Sequence, residues 1–190
     1  LSNVIDLRPN TKQKLISLKG NVVIENLCFG YPGSQKYILK DLNLTIPIGS
    51  SLGIVGITGS GKTTLVDILL GLLQPSDGVL LVDDCEITED NIRAWQRSLG
   101  YVPQDIFLTD ASVKENIALG VPVSEIDMDQ IFQCAKMAQV HEFILENLPD
   151  QYDTLVGERG VRISGGQRQR IGIARALYRS PAVIVFDEAT

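Results

Sequence analysis

Eight residues, Gly56-Ile57-Thr58-Gly59-Ser60-Gly61-Lys62-Thr63, carry the strongest chemical signal in the chain. Glycines at positions 56, 59 and 61 keep side chains out of the way, so successive backbone N–H groups can converge on one concavity and hold phosphate oxygens. Lys62 supplies a point charge for the β and γ phosphates, and the Thr63 hydroxyl is placed to ligate Mg²⁺. The competing reading is a glycine-rich turn that happens to precede a lysine. Context argues against it. The run "SLGIVG" before the loop predicts a strand buried on both faces of a parallel sheet, and "KTTLVDILLGLL" after it spaces Leu65, Ile68, Leu69 and Leu72 along one helix face. A strand that passes through such a loop into a helix sets the positive end of the helix dipole against the phosphates.

Two further stretches bear on the same chemistry. The run "AVIVF" reads as a buried strand and ends in Asp187 and Glu188. An acidic residue at a strand tip beside a phosphate loop can hold the metal, which is the role expected of Asp187; Glu188 is then free to orient and deprotonate an attacking water. Alone, the pair could equally be an acidic turn closing a strand. The other stretch is "ISGGQRQR", residues 163 to 170. Ser164 stands at the N-cap position of a helix, and Gly165 and Gly166 let a phosphate approach the backbone at the helix start. One triphosphate is already cradled by residues 56–63. The second element therefore serves another ligand or a nucleotide held by a second copy, and the latter implies a dimer.

The elements that must position these residues can be read more coarsely. "NVVIENLCF" and "ILKDLNLTI" alternate as half-exposed strands, expected to be antiparallel. From about Asp105 to Gly160 apolar residues recur at helical spacing, with Ile131, Ala135 and Ala138, then Phe143, Ile144 and Leu148, so a helical lobe is expected. A helix over about 165–178 leads to the last strand. Together these predict an α/β fold in which a sheet carries a helical insertion. Residues 1–19 mix Asn, Pro, Thr and Lys without a period and read as a linker. Residues 42–61 contain no charge, but Pro47, Gly49, Ser50 and Ser51 interrupt them, so two strands and a turn explain the stretch better than a membrane span. The net charge of −6 argues against a surface built for nucleic acid, and Cys28, Cys85 and Cys134 are too scattered for a disulfide framework or a zinc site. The chain starts at Leu1 and stops at Thr190, and it reads as a fragment of something longer.

With these motifs in place, the chain resembles the nucleotide-binding domain of an ATP-binding-cassette (ABC) transporter of the exporter branch, from about Gly20 to Thr190. "GITGSGKT" corresponds to the Walker A loop, "VIVFDE" to Walker B and "ISGGQ" to the signature, whose usual leading Leu is Ile163 here. The resemblance implies a P-loop (RecA-like) parallel core with an N-terminal antiparallel β portion, over 20–104. A helical subdomain with the signature helix would follow over 105–179, and the Walker B strand over 180–190. It implies ATP and Mg²⁺ as ligands. Nucleotide contacts would come from Tyr31, Gly56, Ile57, Thr58, Gly59, Ser60, Gly61, Lys62, Thr63 and Thr64, with Tyr31 in "FGYPG" stacking on adenine.

Gln104 in "YVPQD" matches the glutamine that touches the metal and the attacking water and links the site to the helical lobe. Thr63, Gln104 and Asp187 would serve the metal; Glu188, Lys62 and Gln104 would serve catalysis. Ser164, Gly165, Gly166 and Gln167 would close over the nucleotide of a second nucleotide-binding domain, identical or paralogous. "VGERG", residues 156–160, resembles the loop that touches the coupling helices of an exporter's transmembrane domain. The implied location is the cytoplasmic face of a membrane, in bacteria the inner one, reached through that domain. The family's switch histidine, some thirty residues past Walker B, is not in the chain, so slow turnover is expected of these residues alone.

Three other readings compete. A nucleic-acid-dependent ATPase is suggested by "DEAT" and by Arg168, Arg170, Arg175 and Arg179 on one helix, although in an acidic chain a solvated or phosphate-proximal face explains those arginines better. A GTPase lacks its Asn-Lys-x-Asp motif here, and a regulatory domain would not need Lys62, Asp187 and Glu188 intact. His141, the only histidine, is expected to pack on the lobe or face solvent.

Overall fold

The computed structural model describes residues 19–34, 36–158 and 160–187. All but the last residue of the expected linker, and Glu188, lie outside the described residues. The chain forms two compact units, one up to Arg97 and one from Ser98 onward.

In the first unit, β1 (Asn21–Phe29) pairs antiparallel with β2 (Leu39–Pro47), as the alternation predicts. Val22, Ile24, Leu27 and Phe29 of β1 are buried, although 24 to 27 is an odd step. A bulge at Asn26, with φ 49°, absorbs the extra residue and keeps both halves of the strand facing the core. On the other side of β1 lies β3 (Asp77–Val82), which turns back into the short β4 (Cys85–Glu86), giving the order β2-β1-β3-β4. This hairpin turns on Asp83 and Asp84, both with positive φ, 50° and 64°. That is the handedness a tight hairpin requires, but Asp-Asp lacks the glycine that usually announces it.

Helix α1 (Lys62–Leu69) buries Leu65, Ile68 and Leu69 as expected, and stops earlier than expected. Gly71 turns left-handed at φ 67°, so Leu72 lies beyond the helix, 64% exposed. Helix α2 (Ile92–Arg97) closes the end of α1: the buried Trp95 donates its indole N–H to the Leu69 carbonyl at 2.8 Å, and Gln96 donates to Gly71 O at 3.0 Å. The strand expected over "SLGIVG" is not formed. Residues 51–57 are irregular, with Val55 92% and Ile57 83% exposed. A strand buried on both faces needs ladders on both edges, and the described strands of this unit pair only with one another.

In the second unit, β5 (Leu99–Val102) and β6 (Val183–Phe186) pair in parallel, with Leu99 opposite Val183 and Val102 opposite Phe186. Strand β6 forms where "AVIVF" predicts it but is half-exposed rather than buried, because among the described residues it has one ladder neighbour instead of two. Helices α3 (Val113–Ile117), α4 (Met128–Met137), α5 (His141–Asn147) and α6 (Gly165–Tyr178) build the expected helical lobe. Their shared core includes Val102, Ile131, Ala135, Val140, Ile144, Val156, Ile171 and Ala174. Asp127 caps α4 by accepting from Gln130 N at 3.1 Å.

His141 packs on the lobe. Its Nδ1 lies 2.7 Å from the Tyr152 hydroxyl, and both rings meet Phe132 edge-on. Burial, helped by Glu142, pushes the Tyr152 hydroxyl from its ordinary value of 10.0 up to about 12. The folded state therefore favours the neutral phenol. That contribution is fully present below pH 10, the unfolded value, and is lost as pH rises through about 12. Tyr152→Phe is expected to lose about 1 kcal/mol at pH 8, one hydrogen bond's worth, and to show less alkaline destabilisation between pH 10 and 12 than the parent. Thermal unfolding measured across that range checks it, and parallel curves would refute it.

Candidate active site

The phosphate loop of the first unit is shaped by its glycines. Gly59 and Gly61 adopt φ 81° and 91°, a left-handed region in which an L side chain is strained. A methyl on Gly56 would lie 2.6 Å from Ser60 Oγ, so a side chain there would push the Ser60 hydroxyl to another rotamer. Ser60 N donates to Ile57 O at 3.1 Å to complete the turn. Gly61 is the N-cap of α1, and Lys62, Thr63 and Thr64 form its first turn, whose N–H groups have no partner within the helix. Thr63 is exposed while Thr64 is buried, so Thr63 keeps its hydroxyl on the open side and Thr64 anchors the helix. Lys62 Nζ folds back over the loop and donates to Gly56 O at 2.8 Å and Ile57 O at 3.0 Å. The loop thus presents a half-buried ammonium beside a set of backbone donors, which suits a polyphosphate.

In the second unit the parallel register brings two predicted residues to one end of the strand pair. Asp187 directly follows Phe186, and Gln104 stands two residues beyond its partner Val102, so both emerge at the carboxyl ends, where α/β sheets bind ligands. The Asp187 amide donates to Val102 O at 3.0 Å, and its carboxylate accepts from Tyr101 OH at 3.3 Å, which orients it. Glu188 lies outside the described residues. Among the described residues no group of His, Cys, Asp or Glu forms a metal cage. Within the second unit, the Asp187 carboxylate and the Gln104 amide are the oxygen groups at this strand end that a hard cation could use.

The signature stretch opens α6 as its residue types predict. Ser164 Oγ accepts from Gln167 N at 3.4 Å while Gln167 Oε1 accepts from Ser164 N at 3.2 Å, a complete capping box. Ile163 is buried, so it keeps the apolar anchor that a leucine would provide. A methyl built on Gly165 or Gly166 meets nothing within 4 Å. Among the described residues, packing therefore leaves room for a side chain at both places.

Tyr31 is 46% exposed and braced edge-on by Phe29 at 5.1 Å, so its outer face is open to a flat partner and it is not a core aromatic. A groove of about 450 Å³ opens between Ile106–Leu108 and the loop from Gly157 to Ile163, with Arg168 beside it. In that loop Gly157 sits at φ 102° against Thr109 and Asp110, and Gly160 presses on Leu155, so both glycines are needed for the chain's own packing. Phe107, 68% exposed, lines the groove and was missed by sequence reasoning, because a lone aromatic after "PQD" has no spacing to mark it.

The ABC transporter family profile matches residues 39–190. Over 173 residues the chain is 40% identical to YfiB of Bacillus subtilis, described as an uncharacterized ABC transporter ATP-binding protein, covering 91% of this chain and 30% of that protein. It is 43% identical over 179 residues to the exotoxin translocation ATP-binding protein PaxB of Pasteurella aerogenes, 94% of this chain and 25% of that one. The structure of a bacterial Atm1-family ABC exporter with ATP bound superposes with a TM-score of 0.82 at 35% identity, over 95% of this chain and 31% of that one. The chain belongs to the ABC transporter family, and its matched relatives are ATP-binding proteins of that family. It covers under a third of the length of each of these relatives.

Proposed function

We propose that the chain is the ATP-binding and ATP-hydrolysing part of an exporter, and that it works by pairing with a second nucleotide-binding domain. The observation that carries this reading is the presence of two separate helix starts shaped for phosphate. One is the α1 loop with Lys62; the other is the α6 start, where Gly165 and Gly166 face open space. Two such starts, one per unit, suit a symmetric dimer in which each copy's loop binds a nucleotide and the other copy's signature closes over it. Thr63, Gln104 and Asp187 would hold Mg²⁺, which supplies charge neutralisation at the phosphates. Lys62 would bind the β and γ phosphates, Tyr31 would stack on the adenine, and Glu188 would take the proton of the attacking water.

Export is supported by the relatives, which include an exotoxin translocation protein and an Atm1-family exporter. No helix among the described residues is long and apolar enough to cross a membrane, so attachment to the cytoplasmic face would come through a transmembrane domain. The groove beside Phe107 and Glu158 is where that domain would dock. The division into a core at 20–104, a helical subdomain at 105–179 and a Walker B strand at 180–190 is part of the same proposal.

The test is Glu188→Gln in the full-length protein. Turnover should fall by about 10²- to 10⁴-fold, the usual contribution of a general base, while an ATP-bound dimer accumulates on size exclusion. Parental turnover, or failure of the variant to pair in ATP, would remove the proposal.

A further inference from the structure

Outside the residues assigned above, Arg175, near the end of α6, makes three hydrogen bonds within the second unit. Its Nε donates to Asn116 O at 2.7 Å, Nη1 to Phe107 O at 3.0 Å and Nη2 to Asn116 Oδ1 at 3.2 Å. Asn116 is fully buried and spends its amide on the same segment. Its Oδ1 accepts from Thr109 N at 2.9 Å and from Thr109 Oγ1 at 3.2 Å, and its Nδ2 donates to Thr109 O and Ser112 O, both at 3.1 Å. One turn earlier on α6, Gly172 lets Ile106 approach so closely that a methyl there would lie 2.5 Å from Ile106 Cδ1. The stretch 106–112, which begins two residues after Gln104, is therefore clamped at two points to the helix whose first turn is the signature.

Every hydrogen bond described for this guanidinium ends on a neutral oxygen. Burying a charge against neutral carbonyls is a poor way to gain stability, and apolar packing usually serves as well or better. What the arrangement does supply is geometry, since the rigid guanidinium fork meets Phe107 O and Asn116 O from one plane. Ser164 lies eleven residues before Arg175, so a straight helix carries the constraint over about 16 Å.

Resting on the proposed ATPase reading, we infer that Arg175, with Asn116, is a positioning residue that locks the segment following Gln104 to the signature helix, so that Gln104 and Ser164–Gly166 move as one body during hydrolysis.

Arg175→Lys in the full-length protein tests this, because a lysine offers one point charge and cannot span both carbonyls. The expected result is a KM for ATP within twofold of the parent, a kcat at least tenfold lower, and faster hydrogen exchange at the Thr109 amide. Combined with Gln104→Ala, it should lower kcat no further than Gln104→Ala alone, because the two changes break one connection. Parental kcat, full additivity, or a loss matched by the loss of folded protein would overturn the inference. If Arg175→Lys does not fold, Thr109→Val decides instead: a kcat about threefold lower with unchanged KM supports the clamp, and no change refutes it. If the parent hydrolyses no ATP, the ATPase reading itself has failed. Thr109 exchange in Arg175→Lys or Asn116→Ala then still reads the clamp, and unchanged exchange refutes it.

Discussion

Lys62→Ala should weaken ATP binding by at least 100-fold while leaving the fold intact. The ammonium lies across the phosphate loop, on the carbonyls of Gly56 and Ile57 at 2.8 and 3.0 Å. Charge-assisted hydrogen bonds contribute roughly 1.5–3 kcal/mol each. On binding, the ammonium exchanges two neutral carbonyl acceptors for anionic phosphate oxygens, a net gain of about 3 kcal/mol, which is a factor of about 100 in affinity. Alanine at the first position of α1 raises helix propensity slightly, and Leu65 and Ile68, which anchor the helix, are unaffected. Lys62→Arg should not rescue binding, because a planar guanidinium cannot reproduce the compact ammonium that reaches both Gly56 O and Ile57 O. Titration calorimetry with ATP, alongside a thermal melt, measures both halves of the claim. An affinity within threefold of the parent would refute it.

The second large effect is expected at Gly166, and its sign is opposite for stability and activity. Glycine in the first turn of α6 costs helix stability, and a methyl there meets nothing in the chain. Gly166→Ala should therefore raise stability by about 0.5 kcal/mol. Turnover by the full-length protein should nevertheless fall about tenfold, and for Gly166→Val about 100-fold, because in the proposed dimer the added carbons would stand where the second copy's nucleotide approaches the helix start. ATP binding by the isolated chain should be unchanged, since in that dimer the nucleotide would be held by the other copy's loop. Parallel changes in stability and turnover would show that the glycine serves the fold alone.

These two residues differ in how far the amino-acid order alone reveals them. Lys62 is legible at once, because its function depends on residues within six positions and the left-handed glycines at 59 and 61 are part of the motif. Ser164 and Gln167 are legible for the same reason, a capping box being a contact three residues long. The alternation of β1 and β2 and the helical spacing of Ile131 and Ala135 likewise report local faces. The apolar run at 51–56 misleads, because apolar content says what a segment tolerates, and only ladder partners decide whether it becomes a strand. The Asp83–Asp84 hairpin was not legible either, since aspartate tolerates positive φ without announcing it.

By itself, then, the order of residues determined the phosphate loop, the capped signature helix, the helical lobe and the family, all of them matters of near-neighbour spacing. Tertiary structure alone decided that Gln104 and Asp187 emerge at the same end of a parallel pair, because register between strands whose partners lie 84 residues apart in order is a property of packing. It also decided that Arg175, one of three arginines on α6, turns inward onto Phe107 and Asn116. The physical reason is common to both. A contact between distant segments is selected by which buried polar groups find partners when the core closes, and no local pattern of residues records that choice.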